Sequence, residues 1–158
     1  MTKRFVKSSQ VEMTPLVLPN DTSQLGNLLG GRLTEWMDIA GAISAQRHSN
    51  RVCVTASVDE LVFHYPIHLG EVMILKTSPN RMFSTSMEIG VKVIAENQLI
   101  QKRKIANTAY FTFVAVDGNN LPITISPIIP QTIDEKHRFT NAQKKRQRRL
   151  QQNIDDNK

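Results

Sequence analysis

The stretch Gly30-Gly31-Arg32-Leu33-Thr34-Glu35-Trp36-Met37-Asp38-Ile39-Ala40-Gly41-Ala42-Ile43-Ser44-Ala45-Gln46-Arg47 decides the fold. It holds neither proline nor a β-branched run, and Leu33, Met37, Ala40 and Ser44 recur at helical spacing. Trp36 and Ile43 flank that stripe, while Glu35, Asp38, Ala42, Ala45 and Gln46 lie on the opposite face. Between Ile39 and Ala45 the residues are nearly all small, which allows packing on more than one side. The pattern predicts a central helix from Gly31 to about Arg47.

Before the helix, Ser9 to Thr14 roughly alternates and leads into Leu16-Val17-Leu18, which predicts a first strand. Pro19-Asn20-Asp21 breaks it, and a loop continues through Gly26 to Gly30-Gly31. After His48-Ser49-Asn50, strands take over. Val52, Val54, Ala56 and Val58 alternate with Cys53, Thr55, Ser57 and Asp59 and are expected to share one face. Val72-Met73-Ile74-Leu75 starts another strand, residues 85–93 a third, and Ile105 to Val116 a fourth rich in Thr, Tyr, Phe and Val. Short connections favour antiparallel pairing, and the single early helix must cover one face of the sheet. The expected class is α+β, an antiparallel sheet wrapped around one long helix, with an exposed second helix over residues 132–152. The other face or an edge of that sheet stays uncovered, so an oligomer is expected.

The chain of 158 residues suits a single domain, with a core over about 8–130. Hydrophobic residues at 40% and charged residues at 22% are ordinary globular values and argue against a disordered or fibrous protein. No apolar run approaches the roughly 18 residues of a membrane span, and Met1-Thr2-Lys3-Arg4 leads into no apolar signal core. These features predict a cytoplasmic protein without membrane insertion. Residues 1–130 carry 12 basic and 10 acidic side chains, whereas residues 131–158 carry 8 and 4. The excess lies in Lys144-Lys145-Arg146-Gln147-Arg148-Arg149, which suits an anionic partner or a solvated helix face. Aromatics make up only 6% and do not interleave with these cations, which argues against a nucleic-acid partner.

The chemistry narrows quickly. Cys53, on a strand between apolar neighbours, reads as a small buried hydrophobe. His48, His64, His68 and His137 have no metal spacing, so no metal site is expected. Ser57 and Ser86 lack a nucleophile elbow. What remains is the junction of the glycine loop with the helix. Free N–H groups and the positive dipole end at Gly30-Gly31 can hold an oxyanion. Two turns on, Asp38 is either a carboxylate in use or, with Glu35, part of a wet helix face.

The ordered set Gly26-x-x-x-Gly30-Gly31-x-Leu33-x-x-Trp36-Met37-Asp38-x-Ala40, Arg47-His48 and Val54-Thr55-Ala56-Ser57-Val58-Asp59 resembles the acyl-CoA thioesterases of the hot-dog fold. Pro66-Ile67-x-x-Gly70-Glu71, Thr85-Ser86-Met87-Glu88 and the run from Ala109 to Asp117 extend the resemblance over roughly residues 10–140. It implies hydrolysis of fatty acyl-CoA to free acid and CoA, with no cofactor besides the CoA of substrate and product. Asp38 is then the general base or the nucleophile, and the Gly31 N–H polarises the thioester carbonyl. The resemblance further implies a dimer with active sites at the subunit interface, often a trimer of dimers. It assigns the CoA nucleotide to the segments Ala56-Ser57-Val58 and Thr85-Ser86-Met87 and its phosphates to Arg146. One position departs: the family asparagine fifteen residues before the aspartate is Ser23 here. That departure leaves an alternative, a CoA-binding protein of the same fold with weak or no hydrolysis.

Overall fold

The computed structural model describes residues 2–158. Along the chain come β1 (Arg4–Phe5), β2 (Glu12–Met13), α1 (Gly30–Ser49), β3 (Val52–Phe63), β4 (Val72–Met82), β5 (Ser86–Asn97), β6 (Lys102–Val116), β7 (Ile128–Ile129) and α2 (Ile133–Asp156). Five strands form one antiparallel sheet in the order β2-β4-β5-β6-β3, and β1 pairs with β7 in parallel.

Helix α1 lies on the inner face of this sheet. It buries Leu33, Met37, Ala40, Gly41, Ser44, Ala45 and His48. Ala45 thus belongs to the packed side, not to the face of Asp38 where its spacing had put it, because the row of small residues lets the sheet wrap further around the helix. At Gly41 the approach is closest: a Cβ there would come within 2.9 Å of the Phe113 ring. Asn50 ends the helix in the left-handed conformation (φ 55°), and its N–H reaches the Gln46 carbonyl at 2.8 Å.

The core between helix and sheet includes Met87, Ile89, Val91 and Val93 of β5 with Ala109, Phe111 and Phe113 of β6. Their neighbours Ser86, Glu88, Gly90 and Lys92 on β5 and Thr108, Tyr110, Thr112 and Val114 on β6 make the outer face, as the period of two requires. Helix α2 crosses that outer face. Thr132 opens it with a capping box, accepting from the Glu135 N–H at 3.1 Å. The helix runs on to Asp156, four residues beyond its expected end.

Two expectations about strands need correction. The predicted first strand pairs only at Glu12–Met13, with a 3-10 turn at Val6–Ser9 before it and a single bridge from Leu16 to Val72 after it. Pro15 has no N–H to offer a ladder, and the Val11 N–H is taken by the Thr77 hydroxyl at 2.8 Å. In β3 the expected alternation breaks at Ala56. Thr55 pairs with Phe113 but Ser57 with Thr112, so Ala56 is the extra residue of a β-bulge. The bulge swaps faces: Val52 and Val54 point outward, whereas Val58, opposite Phe111, points inward.

Candidate active site

The bulge fixes where chemistry can occur. It leaves Cys53 and Thr55 on the inner face of β3, opposite Ala115 and Phe113 and toward α1. There the Thr55 hydroxyl donates to Asp38 Oδ1 at 2.6 Å. Asp38 is half-buried, so its carboxylate is held by a hydroxyl on one oxygen with the other left for a reactant. Thr55 is a candidate-site residue that sequence reading did not single out. Its inward position follows from the pairing with Phe113, which local alternation does not show. Burial pushes the neighbouring Cys53 thiol up, so it stays protonated and is a poor nucleophile.

The start of α1 is built to leave donors free. Leu29, at the N-cap, has no side-chain acceptor, and the first turn carries no acidic residue. The N–H groups of Gly30, Gly31 and Arg32 therefore have no carbonyl partner within the helix. The preceding loop is pinned by Asp21, whose carboxylate accepts from the Leu18 N–H and from Arg32 Nε, both at 3.0 Å. Beside this end lies an apolar cavity of about 280 Å³ lined by Leu28, Leu33, Phe63, Tyr65 and Ile67.

Within one chain these parts do not converge. Asp38 is seven residues beyond Gly31, about 10 Å along the helix axis, so a single carbonyl cannot touch both. Ser23 is engaged in its own turn, accepting from the Leu25 N–H through Oγ at 3.3 Å while its N–H bonds the Asn27 carbonyl at 2.8 Å.

The residues matched to the nucleotide gather elsewhere. Arg146 of α2 donates to Ser86 Oγ at 3.1 Å, and its guanidinium lies 4.3 Å from the centre of the Phe83 ring. Ser57 faces the same outer side of the sheet, opposite Thr112. The Met87 side chain is wholly buried in the core, which leaves only its backbone for a ligand. Ala56 protrudes at the bulge, and Thr85 accepts from the Ala115 N–H at 3.1 Å. Asp38 and Thr55 thus lie on the inner face and Ser57, Ser86 and Arg146 on the outer one. Among the described residues no three His, Cys, Asp or Glu side chains cluster, and no helix is long and apolar enough to cross a membrane.

Comparison with known proteins decides the family. The model of the thioesterase superfamily matches residues 25–101. An uncharacterized acyl-CoA thioester hydrolase of Bacillus subtilis is 39% identical over 132 residues, covering 84% of this chain and 77% of that one. The chain belongs to the acyl-CoA thioester hydrolases. Mouse acyl-coenzyme A thioesterase 11 is 37% identical over 90% of this chain, which spans only 24% of that longer protein. A hexameric acyl-CoA thioesterase solved in its apo form superposes with a TM-score of 0.93 at 32% identity, over 96% of this chain and 97% of its own. The hot-dog fold, read from the motif order, is therefore the fold observed.

An acyl-CoA hydrolase of Staphylococcus aureus, solved with butyryl coenzyme A and coenzyme A, superposes at 0.91 with 27% identity, over 99% of this chain and 95% of its own. Alanine variants of that enzyme replace one asparagine, one aspartate and one threonine. In that enzyme the asparagine and threonine lie 15 and 17 positions from the aspartate. Ser23, Asp38 and Thr55 have the same spacings in this chain. This chain therefore carries an aspartate and a threonine at that spacing, with a serine where the spacing puts the asparagine.

Proposed function

We propose that this member of the acyl-CoA thioester hydrolases cleaves fatty acyl-CoA to free acid and CoA in a site shared between two chains. The observation that carries the proposal is the Thr55–Asp38 hydrogen bond, set about 10 Å from an uncapped helix start in the same chain. A second copy whose α1 N-terminus faces this Asp38 would bring base and oxyanion donor together. The long edge strand supports such pairing: β3 is an unprotected sheet edge with Val52, Val54, Val62 and Phe63 exposed. A dimer joined along β3 follows from this reading, and the likeness to a hexameric acyl-CoA thioesterase supports a trimer of such dimers. A cytoplasmic location belongs to the same proposal and rests on the sequence.

Two routes remain open at Asp38. As general base, its free oxygen takes a proton from water, whose oxygen attacks the thioester carbon. The negative oxygen so formed is held by the Gly31 N–H of the other chain, and the C–S bond breaks to release the CoA thiolate, which is then protonated. As nucleophile, the carboxylate itself attacks, thiolate leaves, and water cleaves the resulting anhydride. In both, Thr55 orients the carboxylate. The apolar cavity beside the helix start suits the acyl chain, and Arg146 with Ser86 and Phe83 suits the nucleotide. No metal or redox group takes part in either route as written.

The alternative is a CoA-binding protein with little hydrolysis. It is favoured by one observation, the Ser23 hydroxyl engaged in its own turn. Release of free thiol from a panel of acyl-CoAs, measured on the full chain, tests the two readings. Turnover supports the hydrolase. Tight CoA binding without thiol release supports the alternative.

A further inference from the structure

Helix α2 crosses the outer face of the sheet from β4 to the β3 edge. Near its start the Phe139 carbonyl accepts from Arg81 of β4 at 3.2 Å. Further on, Lys145 reaches Glu88 of β5 at 3.2 Å, and Arg149 pairs with Asp59 of β3. From Phe139 to Arg149 the helix rises about 15 Å, and from β4 to β3 is three strand spacings, about 14 Å. The helix therefore lies nearly square to the strands, and at Arg149 it has reached the edge of the sheet. It continues to Asp156. Residues 150–156 thus run about 10 Å past β3, and every one of them is exposed.

Two helical turns with no sheet beneath them fray unless something holds them. Leu150 and Ile154, the only apolar residues of the overhang, are 50% and 53% exposed. With Gln143 and Gln147 they recur at steps of four, three and four, the spacing of a helix seam, and none of the four is charged. Leu150 comes four residues after Arg146 and shares its side, the flank toward Ser86 and not the underside on the sheet. Charge is divided along the same helix. Lys144 to Arg149 is basic, whereas Asp155-Asp156 is acidic. Among the described residues Lys144 has no ion-pair partner. An antiparallel neighbour of the same sequence matches this division end for end.

We propose that the overhang packs antiparallel against α2 of a second copy, across the β3 edge. Given a dimer joined along β3, on which this rests, the end of each α2 lies above the sheet of the other chain. Arg149 stands at the edge, so Leu150 comes next to the two-fold axis. Two helices side by side need about 10 Å, roughly three residues along β3, so both fit on the joined outer face. The Leu150–Ile154 stripes of the two chains then cover each other. Asp155 of each chain lies beside Lys144 of the other, and the helix that seats Arg146 is braced by both chains.

The test follows how fast the dimers open, by native mass spectrometry of the full chain mixed with its isotope-labelled form. Leu150→Ala with Ile154→Ala keeps a good helix former at both exposed positions. Chains are expected to exchange at least tenfold faster than in the parent, on the order of losing two apolar anchors from each overhang. Lys144→Glu and Asp155→Lys should each speed exchange about threefold, the scale of exposed ion pairs, and together should restore it. Within one chain these positions are about 16 Å apart along the helix, so the rescue has to come from the other chain. Parent-like exchange in the alanine variant, or a double reversal no slower than the single ones, overturns the helix pairing, while a dimeric, thiol-releasing parent leaves the shared site standing. A monomeric parent overturns both. Alanine-variant dimers that hold while a hexamer falls apart would place the overhang between dimers and overturn the pairing as well.

Discussion

Thr55 on the edge strand donates its hydroxyl to Asp38 on the central helix at 2.6 Å, across seventeen residues of chain. The bond depends on the bulge at Ala56, which keeps Thr55 inward while the strand beyond it changes face. It fixes one carboxylate oxygen and so aims the other. The same hydroxyl ties the Asp38 carboxylate to the edge strand β3.

Replacing Thr55 by valine keeps the shape and removes the donor. A hydrogen bond to a charged group is worth about 1.5–3 kcal/mol, so kcat is expected to fall about 10- to 100-fold. KM should change little, because Thr55 acts through Asp38 and not on CoA. Thr55→Ser should recover most of the rate. Equal kcat for the valine variant and the parent would remove Thr55 from the mechanism.

Asp38→Asn retains the size and the Thr55 contact but cannot accept a proton or attack. General-base assistance contributes roughly 10²–10⁴-fold, so a loss of about a thousandfold in kcat is expected with CoA affinity unchanged. Ser23→Ala, by contrast, removes a hydroxyl already spent on the Leu25 N–H and should cost about tenfold or less, on the scale of positioning. Steady-state kinetics on one acyl-CoA separates the two. A Ser23→Ala loss as large as that of Asp38→Asn would reassign the nucleophile.

How much of this could be read in advance follows from what each residue senses. The central helix and strands β5 and β6 show their core side in a largely regular period, whereas β4 shows itself as the continuous apolar run Val72 to Leu75, which is buried on both faces. The first strand misled because pairing depends on Pro15 and on the distant Thr77 hydroxyl, neither of which alters local alternation. At Ala56 the face swap is set by the pairing with β6, which a period of two cannot reveal. Asp38 and the free helix start are local features and were legible. Thr55 was not, since its partner is on another element. Nor could the sequence show that Lys145 has a buried partner; the basic run reads as suited to an anionic partner or a solvated helix face, yet Lys145 reaches Glu88 and Arg146 reaches Ser86.

Arg146 provides a prediction about the substrate's far end. Arg146→Ala removes the contact to Ser86 and uncovers Phe83, so KM for acyl-CoA should rise about tenfold or more, with a weaker salt dependence. A short thioester lacking the nucleotide should show no change. An equal loss on both substrates would mean that the arginine only holds α2 in position.

Glu88 sets a pH dependence of stability. Its side chain is 1% exposed, and Lys145 Nζ lies 3.2 Å from Oε1 while Asn80 donates to Oε2 at 2.9 Å. Burial raises its pKa above 4.5, and the Asn80 bond and the Lys145 charge only partly oppose this. Between 4.5 and the raised value the folded chain holds a proton that the unfolded chain has lost. Glu88 therefore stabilises the fold fully below that window and less as pH rises through the folded pKa. Glu88→Gln should remove this decline. Urea midpoints of both proteins from pH 4 to 8 check it, and parallel curves would refute it.

The shared site makes a prediction that no single-chain site can meet. Gly31→Pro deletes the helix-start donor at a first-turn position, where proline is tolerated and a new Cβ meets nothing within 4 Å. Asp38→Asn deletes the base. Each variant alone should be nearly inactive. In a co-expressed mixture, half of the dimers are mixed. A mixed dimer whose sites pair Asp38 of one chain with the helix start of the other has one fully damaged and one intact site. About a quarter of the parent activity should then return, as random pairing of a two-fold dimer requires. Circular dichroism of Gly31→Pro alone establishes that it folds. If both variants fold and exchange subunits but the mixture stays inactive, base and oxyanion donor come from the same chain, and the dimeric site is wrong.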